Sequence, residues 1–254
     1  MLALNGFVQQ DRVGPIHGEF AAGSLTLLIG PNGSGKSSLL TGAAGLSSSE
    51  GEGEVRLAGQ ALSGFSLHEL ARHRAMLGQQ AMLPHGLRGY ELLALGAEPL
   101  GGVTEDVCLA IARLAKPLGL EKLYHRQLNT LSGGEQQRFL IASTLLQVDS
   151  AINPDAQLLL LDEPLAGLDW QHQLATLRLL RGYADLGLAV VASIHDINMA
   201  CQYADSVWCL HQGRLAASGA PNVITPELIA EVFEVKVRLL EQDGISVMLP
   251  VESQ

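Results

Sequence analysis

Short apolar runs alternate with longer stretches of helical spacing along this 254-residue chain. Leu25–Ile29 reads as a strand, and the apolar positions that follow recur at three and four residues over Lys36–Leu46, a helix. Gly53–Ala58 has the alternation of an antiparallel, edge-like strand, and Ala75–Leu77 is a short strand ending at Gln79-Gln80. Leu158–Leu161 and Ala189–Ser193 are unbroken apolar runs, which predicts strands buried on both faces. Ser206–Leu210 and Leu215–Ala217 flank His211-Gln212-Gly213-Arg214, which reads as a hairpin turn. Between about Leu83 and Leu146 the period changes, and Tyr90–Ala97, Glu105–Leu118 and Gln136–Leu146 predict helices. Past Pro226 come a helix, Glu227–Phe233, and a ribbon, Val235–Leu240 with Ile245–Leu249. The rhythm is that of a single α/β domain over residues 1–254, with a helical subdomain at about 83–146 inserted in it.

Composition narrows what such a domain does. Nearly half the residues are hydrophobic (47%) and 17% are charged, enough apolar material for a substantial core. A formal net charge of −10 argues against nucleic acid and against direct adhesion to anionic lipid, both of which select lysine and arginine. Three cysteines, Cys108, Cys201 and Cys209, form no CxxC pair and read as reduced thiols. The segment MLALNGFVQQDR has neither the basic leader nor the apolar run of an export signal. No uncharged apolar stretch reaches the roughly 18 residues that cross a bilayer; the longest, Gly187 to Ile194, reads as a buried strand. Work at a membrane would require another chain to carry the spans.

Three short segments carry the chemistry. Gly30-Pro31-Asn32-Gly33-Ser34-Gly35-Lys36-Ser37, followed by Ser38, fits GxxxxGK[ST] between a strand and a helix. Its glycines let backbone N–H groups face a polyphosphate, Lys36 reaches the terminal phosphates, and Ser37 is placed to ligate Mg²⁺. "LLLLDEP" (Leu158 to Pro164) ends an apolar strand in two carboxylates: Asp162 to hold the metal, Glu163 to polarise the water that attacks the γ-phosphate. A solvated strand end is the plainer reading of that pair, and the full phosphate loop argues against it. "LSGGEQQR" (Leu131 to Arg138) opens a helix with a serine and two glycines. An ordinary capping box accounts for Ser132 and Glu135 but not for both Gly133 and Gly134.

Together these segments resemble the nucleotide-binding subunits of ABC transporters, whose signature is LSGGQ-like; Glu135 stands where glutamine is commoner. The resemblance covers nearly the whole chain and implies a P-loop NTPase core with an antiparallel β subdomain and an inserted helical one. It implies that Gln79 is the glutamine that contacts Mg²⁺ and the attacking water. It implies too that "AGLD" (Ala166 to Asp169) is the D-loop, and His195 in "SIHD" the histidine that holds the γ-phosphate. The resemblance implies ATP and Mg²⁺ as ligands and a head-to-tail homodimer. In it each ATP lies between one copy's phosphate loop and the other's Ser132-Gly133-Gly134-Glu135. Separate transmembrane permease subunits and a periplasmic solute-binding protein would complete the system. The chain would sit on the cytoplasmic face of a bacterial inner membrane, with Leu83–Gly96 forming the groove for a permease helix.

Within the family, "GPIHGEFAAGSLTLLIGPNGSGKSSLL", "RHRAMLGQQ" and the connection "LQVDSAINPDAQLLLLDEP" are similar to ATPase subunits of bacterial vitamin B12 importers. Ferric-siderophore and haem importers are the alternative, then soluble ABC ATPases and, last, P-loop kinases. One departure stands out. Where many relatives stack adenine on an aromatic residue, this chain has Val8-Gln9-Gln10-Asp11-Arg12-Val13. Phe7 and Phe20 are misplaced for that role, leaving Arg12 or Val13 to pack on the base and leaving GTP open as a substrate.

Overall fold

The computed structural model describes residues 1–9, 12–46, 52–79, 83, 86–242 and 245–251. In chain order the elements are β1 (Leu2–Gln9), β2 (Val13–Phe20), β3 (Ser24–Ile29), α1 (Lys36–Ala43), β4 (Glu52–Leu57), β5 (Gln60–Ala61), α2 (Leu67–His73) and β6 (Arg74–Leu77). Then come α3 (Gly89–Ala97), α4 (Glu105–Ala115), α5 (Gly133–Leu146), β7 (Leu158–Leu161), α6 (Trp170–Asp185), β8 (Ala189–Ser193) and α7 (Ile197–Tyr203). The chain closes with β9 (Ser206–His211), β10 (Arg214–Gly219), α8 (Pro226–Phe233), β11 (Val237–Gln242) and β12 (Ile245–Pro250).

The central sheet has the order β10-β9-β3-β8-β7-β6, parallel except for the β9–β10 hairpin. Its strands are buried on both faces, as the unbroken apolar runs require. In β7, Leu158 and Leu160 join one core and Leu159 and Leu161 the other, all four at 0% exposure. One core lies under the antiparallel sheet β2-β1-β4-β5 and is built from Leu2, Leu4, Ile16 and Phe20 with Leu39 and Leu40 of α1. The other joins the sheet to α5 and α6 and extends without a break into α3 and α4. The helical segment between β6 and β7 therefore shares its core with the sheet.

Several boundaries differ from the sequence reading for local reasons. α1 stops at Ala43 rather than Leu46. Gly45 takes φ 69°, its N–H bonds the Gly42 carbonyl and Leu46 N–H the Thr41 carbonyl, which closes the helix in a Schellman motif. α4 ends at Ala115, ahead of Pro117, instead of continuing to Leu118. α5 begins at Gly133 rather than Gln136, because Ser132 caps it. Ala58 leaves the strand at φ 49°, and the C-terminal ribbon starts at Val237 rather than Val235. Gln10, Asp11 and Gln80 lie outside the described residues, as do Pro84 and His85 ahead of α3. No helix among the described residues is long and apolar enough to cross a membrane.

Candidate active site

The sheet register brings the scattered motifs to one edge. Leu77 of β6 pairs with Leu161 of β7, Leu161 with Ala192 of β8, and Ala192 with Leu27 of β3. Four neighbouring parallel strands thus end level. Gln79, Asp162 with Glu163, His195 and the loop from Gly30 follow within one to three residues. Loops at the carboxyl ends of parallel strands are where this class of sheet binds ligands.

The result is an open cleft of about 890 Å³ lined by Asn32 to Ser38 with Gln79, Glu163 and His195. The phosphate loop turns sharply at Gly30, where φ is 150° and any Cβ would meet the Leu210 carbonyl at 2.2 Å. Lys36 folds back over the loop, its Nζ donating to the carbonyls of Gly30 (2.8 Å) and Pro31 (3.1 Å). Burial lowers its pKa; the nearby carboxylates of Glu163 and Asp162 oppose that shift. Ser34 Oγ is buried and makes no hydrogen bond among the described residues. A cation held only by carbonyls beside an unsatisfied hydroxyl is a cradle matched to an anion.

Across the cleft, Glu163 is held in the left-handed region (φ 50°). Ser193 at the end of β8 fixes it there: its Oγ accepts from Glu163 N (2.8 Å) and donates to Asp162 Oδ1 (2.6 Å). One hydroxyl therefore sets both carboxylates. Ser193 is not among the site residues the motifs predict, although a lone hydroxyl ending an apolar strand is a usable signal. His195 Nε2 lies 3.0 Å from Glu163 Oε1. Asp162 is 3% exposed and is not among the residues lining the cleft, whereas Ser37 and Gln79 are. The side-chain oxygens of these three residues are of the hard type that suits Mg²⁺.

Ser132, Gly133, Gly134 and Glu135 are not in this lining. Ser132 Oγ accepts from Glu135 N (3.3 Å) and the Glu135 carboxylate accepts from Ser132 N (2.8 Å), a complete capping box. That backbone N–H holds the Glu135 carboxyl below its usual pKa, so Glu135 serves the turn as an ionised cap. Gly134 packs on the D-loop, since a Cβ there would lie 2.6 Å from the Gly167 carbonyl, whereas Gly133 faces open space. Asp169 caps α6, accepting from His172 N (2.9 Å).

Beyond the phosphate loop the cleft is walled by Val8, Arg12, Val13 and Gly14, and by Gln212, Gly213 and Arg214 of the β9–β10 hairpin. Nothing in the sequence pattern of that hairpin points to a place in the site. It is bolted to the loop through Gly213, whose N–H donates to the Ser34 carbonyl (3.0 Å) and whose carbonyl accepts from Gly14 N (2.8 Å). The rings of Phe7 and Phe20 are in the core, Phe7 against Gly42 and Phe20 against Trp208, so neither reaches the cleft.

Residues 13–166, from β2 through Walker-type loop, signature and Asp162-Glu163, match the ABC transporter family model. The chain belongs to the ABC transporter ATP-binding family. This ABC ATPase couples ATP hydrolysis to transport. It is similar to the vitamin B12 import ATP-binding protein BtuD of Salmonella typhimurium (strain LT2), 38% identical over 245 residues and 96% of each chain. The protein of the same name from Yersinia enterocolitica is 40% identical over 240 residues, 94% of each. Among solved structures, the ATP binding subunit of an ABC transporter superposes with a TM-score of 0.77 at 24% identity, covering 87% of this ABC ATPase and 90% of that chain.

Proposed function

We propose that this ABC ATPase is the motor of a membrane importer whose transported solute is vitamin B12. The similarity to B12 import ATPases over almost the full length supports that solute. One observation carries the mechanism: a phosphate cradle, Gln79, Glu163 and His195 share one cleft, while the glycine-rich turn at Ser132 stands outside it, exposed. In this reading two copies pair head to tail, and each ATP is clasped by one cradle and the other copy's Ser132-Gly133-Gly134 turn. Lys36, Ser34 and the loop N–H groups hold the triphosphate. Ser37, Gln79 and Asp162 would hold Mg²⁺, which supplies charge neutralisation when bound. Glu163 takes a proton from the attacking water, oriented by Ser193 from behind and by His195 from the front. Moving an open–closed equilibrium from 1:99 to 99:1 needs about 5.5 kcal/mol of preference for the closed pair, which two triphosphates with charge-assisted contacts can supply.

Binding of permease helices on the helical layer is supported by exposed Tyr90 and Leu95 on α3. The residues that would contact the solute belong to the permease and a solute-binding protein on the far side of the membrane. Glu163→Gln should keep ATP affinity, lower turnover about a thousandfold and accumulate an ATP-dependent dimer in size-exclusion chromatography. Near-normal hydrolysis would remove Glu163 from the role of base. For the solute, vesicles holding the complex with its co-purified permease should take up cobalamin in an ATP-dependent way; uptake of a ferric siderophore or haem in its place would reassign the cargo.

A further inference from the structure

His172 connects the glycine-rich turn to the D-loop. Arg138, on the helix that Ser132 opens, points Nη1 at the carbonyls of Leu118 (2.5 Å) and Gly119 (3.3 Å) and lies 3.1 Å from His172 Nε2. An arginine does not give up its proton, so Arg138 donates and His172 Nε2 must be the bare, accepting nitrogen. The ring proton then sits on Nδ1, which donates to Asp169 Oδ1 at 2.7 Å. That same oxygen accepts from His172 N at the start of α6. The tautomer is thus set by its neighbours, and the imidazole is a two-ended strut from Arg138 to Asp169. A second, steric contact runs alongside it, Gly134 against the Gly167 carbonyl.

We infer that His172 is a positioning residue that makes the Ser132 turn and the Asp169 loop move as one body, so that both are presented together to the triphosphate held by a second copy. The inference rests on the shared-site reading above. A residue that merely stabilised its own subunit would act wherever it was placed, whereas this strut acts on the site it is lent to. The two cases separate in mixed dimers in which Lys36→Ala disables one of the two sites.

In the first arrangement one subunit carries both His172→Ala and Lys36→Ala and its partner is wild type. The surviving site then combines a wild-type cradle with the altered turn, and turnover should fall about tenfold, the loss expected for charge-assisted hydrogen bonds, with KM for ATP unchanged. In the second arrangement the two substitutions are on different subunits, the surviving site has a wild-type turn, and turnover should match a dimer carrying Lys36→Ala on one subunit alone. His172→Gln, which offers an amide oxygen to Arg138, should recover part of the loss. Ser132→Arg in the same two arrangements reports on the shared site itself. A split for Ser132→Arg with equal losses for His172→Ala in both arrangements would overturn the strut alone. No split for Ser132→Arg would overturn the shared site and the strut with it.

Discussion

At the scale of single residues, the phosphate loop is built for its ligand at a cost to the empty protein. Lys36 is 5% exposed and, among the described residues, bonded to two carbonyls of its own loop. Its pKa is lowered by burial, so the charged form is disfavoured in the folded state. The sign follows: at neutral pH this ammonium subtracts from stability, and the deficit fades as pH rises through the folded pKa. Lys36→Ala should leave the melting temperature of the nucleotide-free protein unchanged or raise it. Wild type with ATP at a hundredfold excess over Kd gains about 2.7 kcal/mol, or about 5–10 °C in a domain of this size. The variant should lose nearly all of that gain. A thermal-shift titration checks both halves, and a full ATP response in the variant would contradict the cradle. These residues were legible because loop chemistry is local in sequence: Gly30 to Ser38 and Asp162-Glu163 are contiguous. Ser193, His172 and Arg214 were not, since their roles depend on which strands and helices the topology sets side by side.

Elements whose signal was an unbroken apolar run or a clean helical period were legible, and the remainder fail for identifiable reasons. β1 and β2 carry no clear strand pattern, because register shifts at Leu4/Phe7 and Phe7/Gln9 break the alternation of one, and the other contains Gly14, Pro15 and Gly18. α6 gives a weak signal, because its buried stripe of Thr176, Leu177, Leu180, Tyr183 and Ala184 is embedded in polar residues. Close helix crossings were equally invisible. Gly96 of α3 sits so near α5 that a Cβ would lie 2.4 Å from Ser143 Oγ and 2.9 Å from the Ser143 carbonyl. Gly96→Ala must therefore push backbone aside and disturb the Ser143 Oγ bond to the Leu92 carbonyl. Overpacking of this kind costs about 1–3 kcal/mol. Urea unfolding should show that loss, while ATP affinity, set by cleft residues that include neither Gly96 nor Ser143, stays at the wild-type value. A stable Gly96→Ala protein would mean that the α3–α5 seam yields freely.

For the molecule as a whole the dominant quantity is charge. Each chain carries −10, so in the proposed dimer the two copies repel one another at long range. With centres about 40 Å apart, a little more than twice the radius of gyration for this length, the unscreened repulsion in water is about 10 kcal/mol. At about 0.01 M salt the Debye length is near 30 Å and roughly 2–3 kcal/mol survives; at 0.15 M it is near 8 Å and almost nothing does. The contacts proposed to close the pair, phosphates against the N–H groups of the Ser132-Gly133-Gly134 turn, would be covered by protein and screened far less. Closure should therefore tighten with added salt, opposite to the behaviour of an interface held by exposed ion pairs. For Glu163→Gln with ATP and Mg²⁺, sedimentation equilibrium should give a dimer Kd that falls about 10- to 100-fold between those two ionic strengths. A Kd that rises instead would mean that exposed opposite charges, and not the buried triphosphate, hold the pair together.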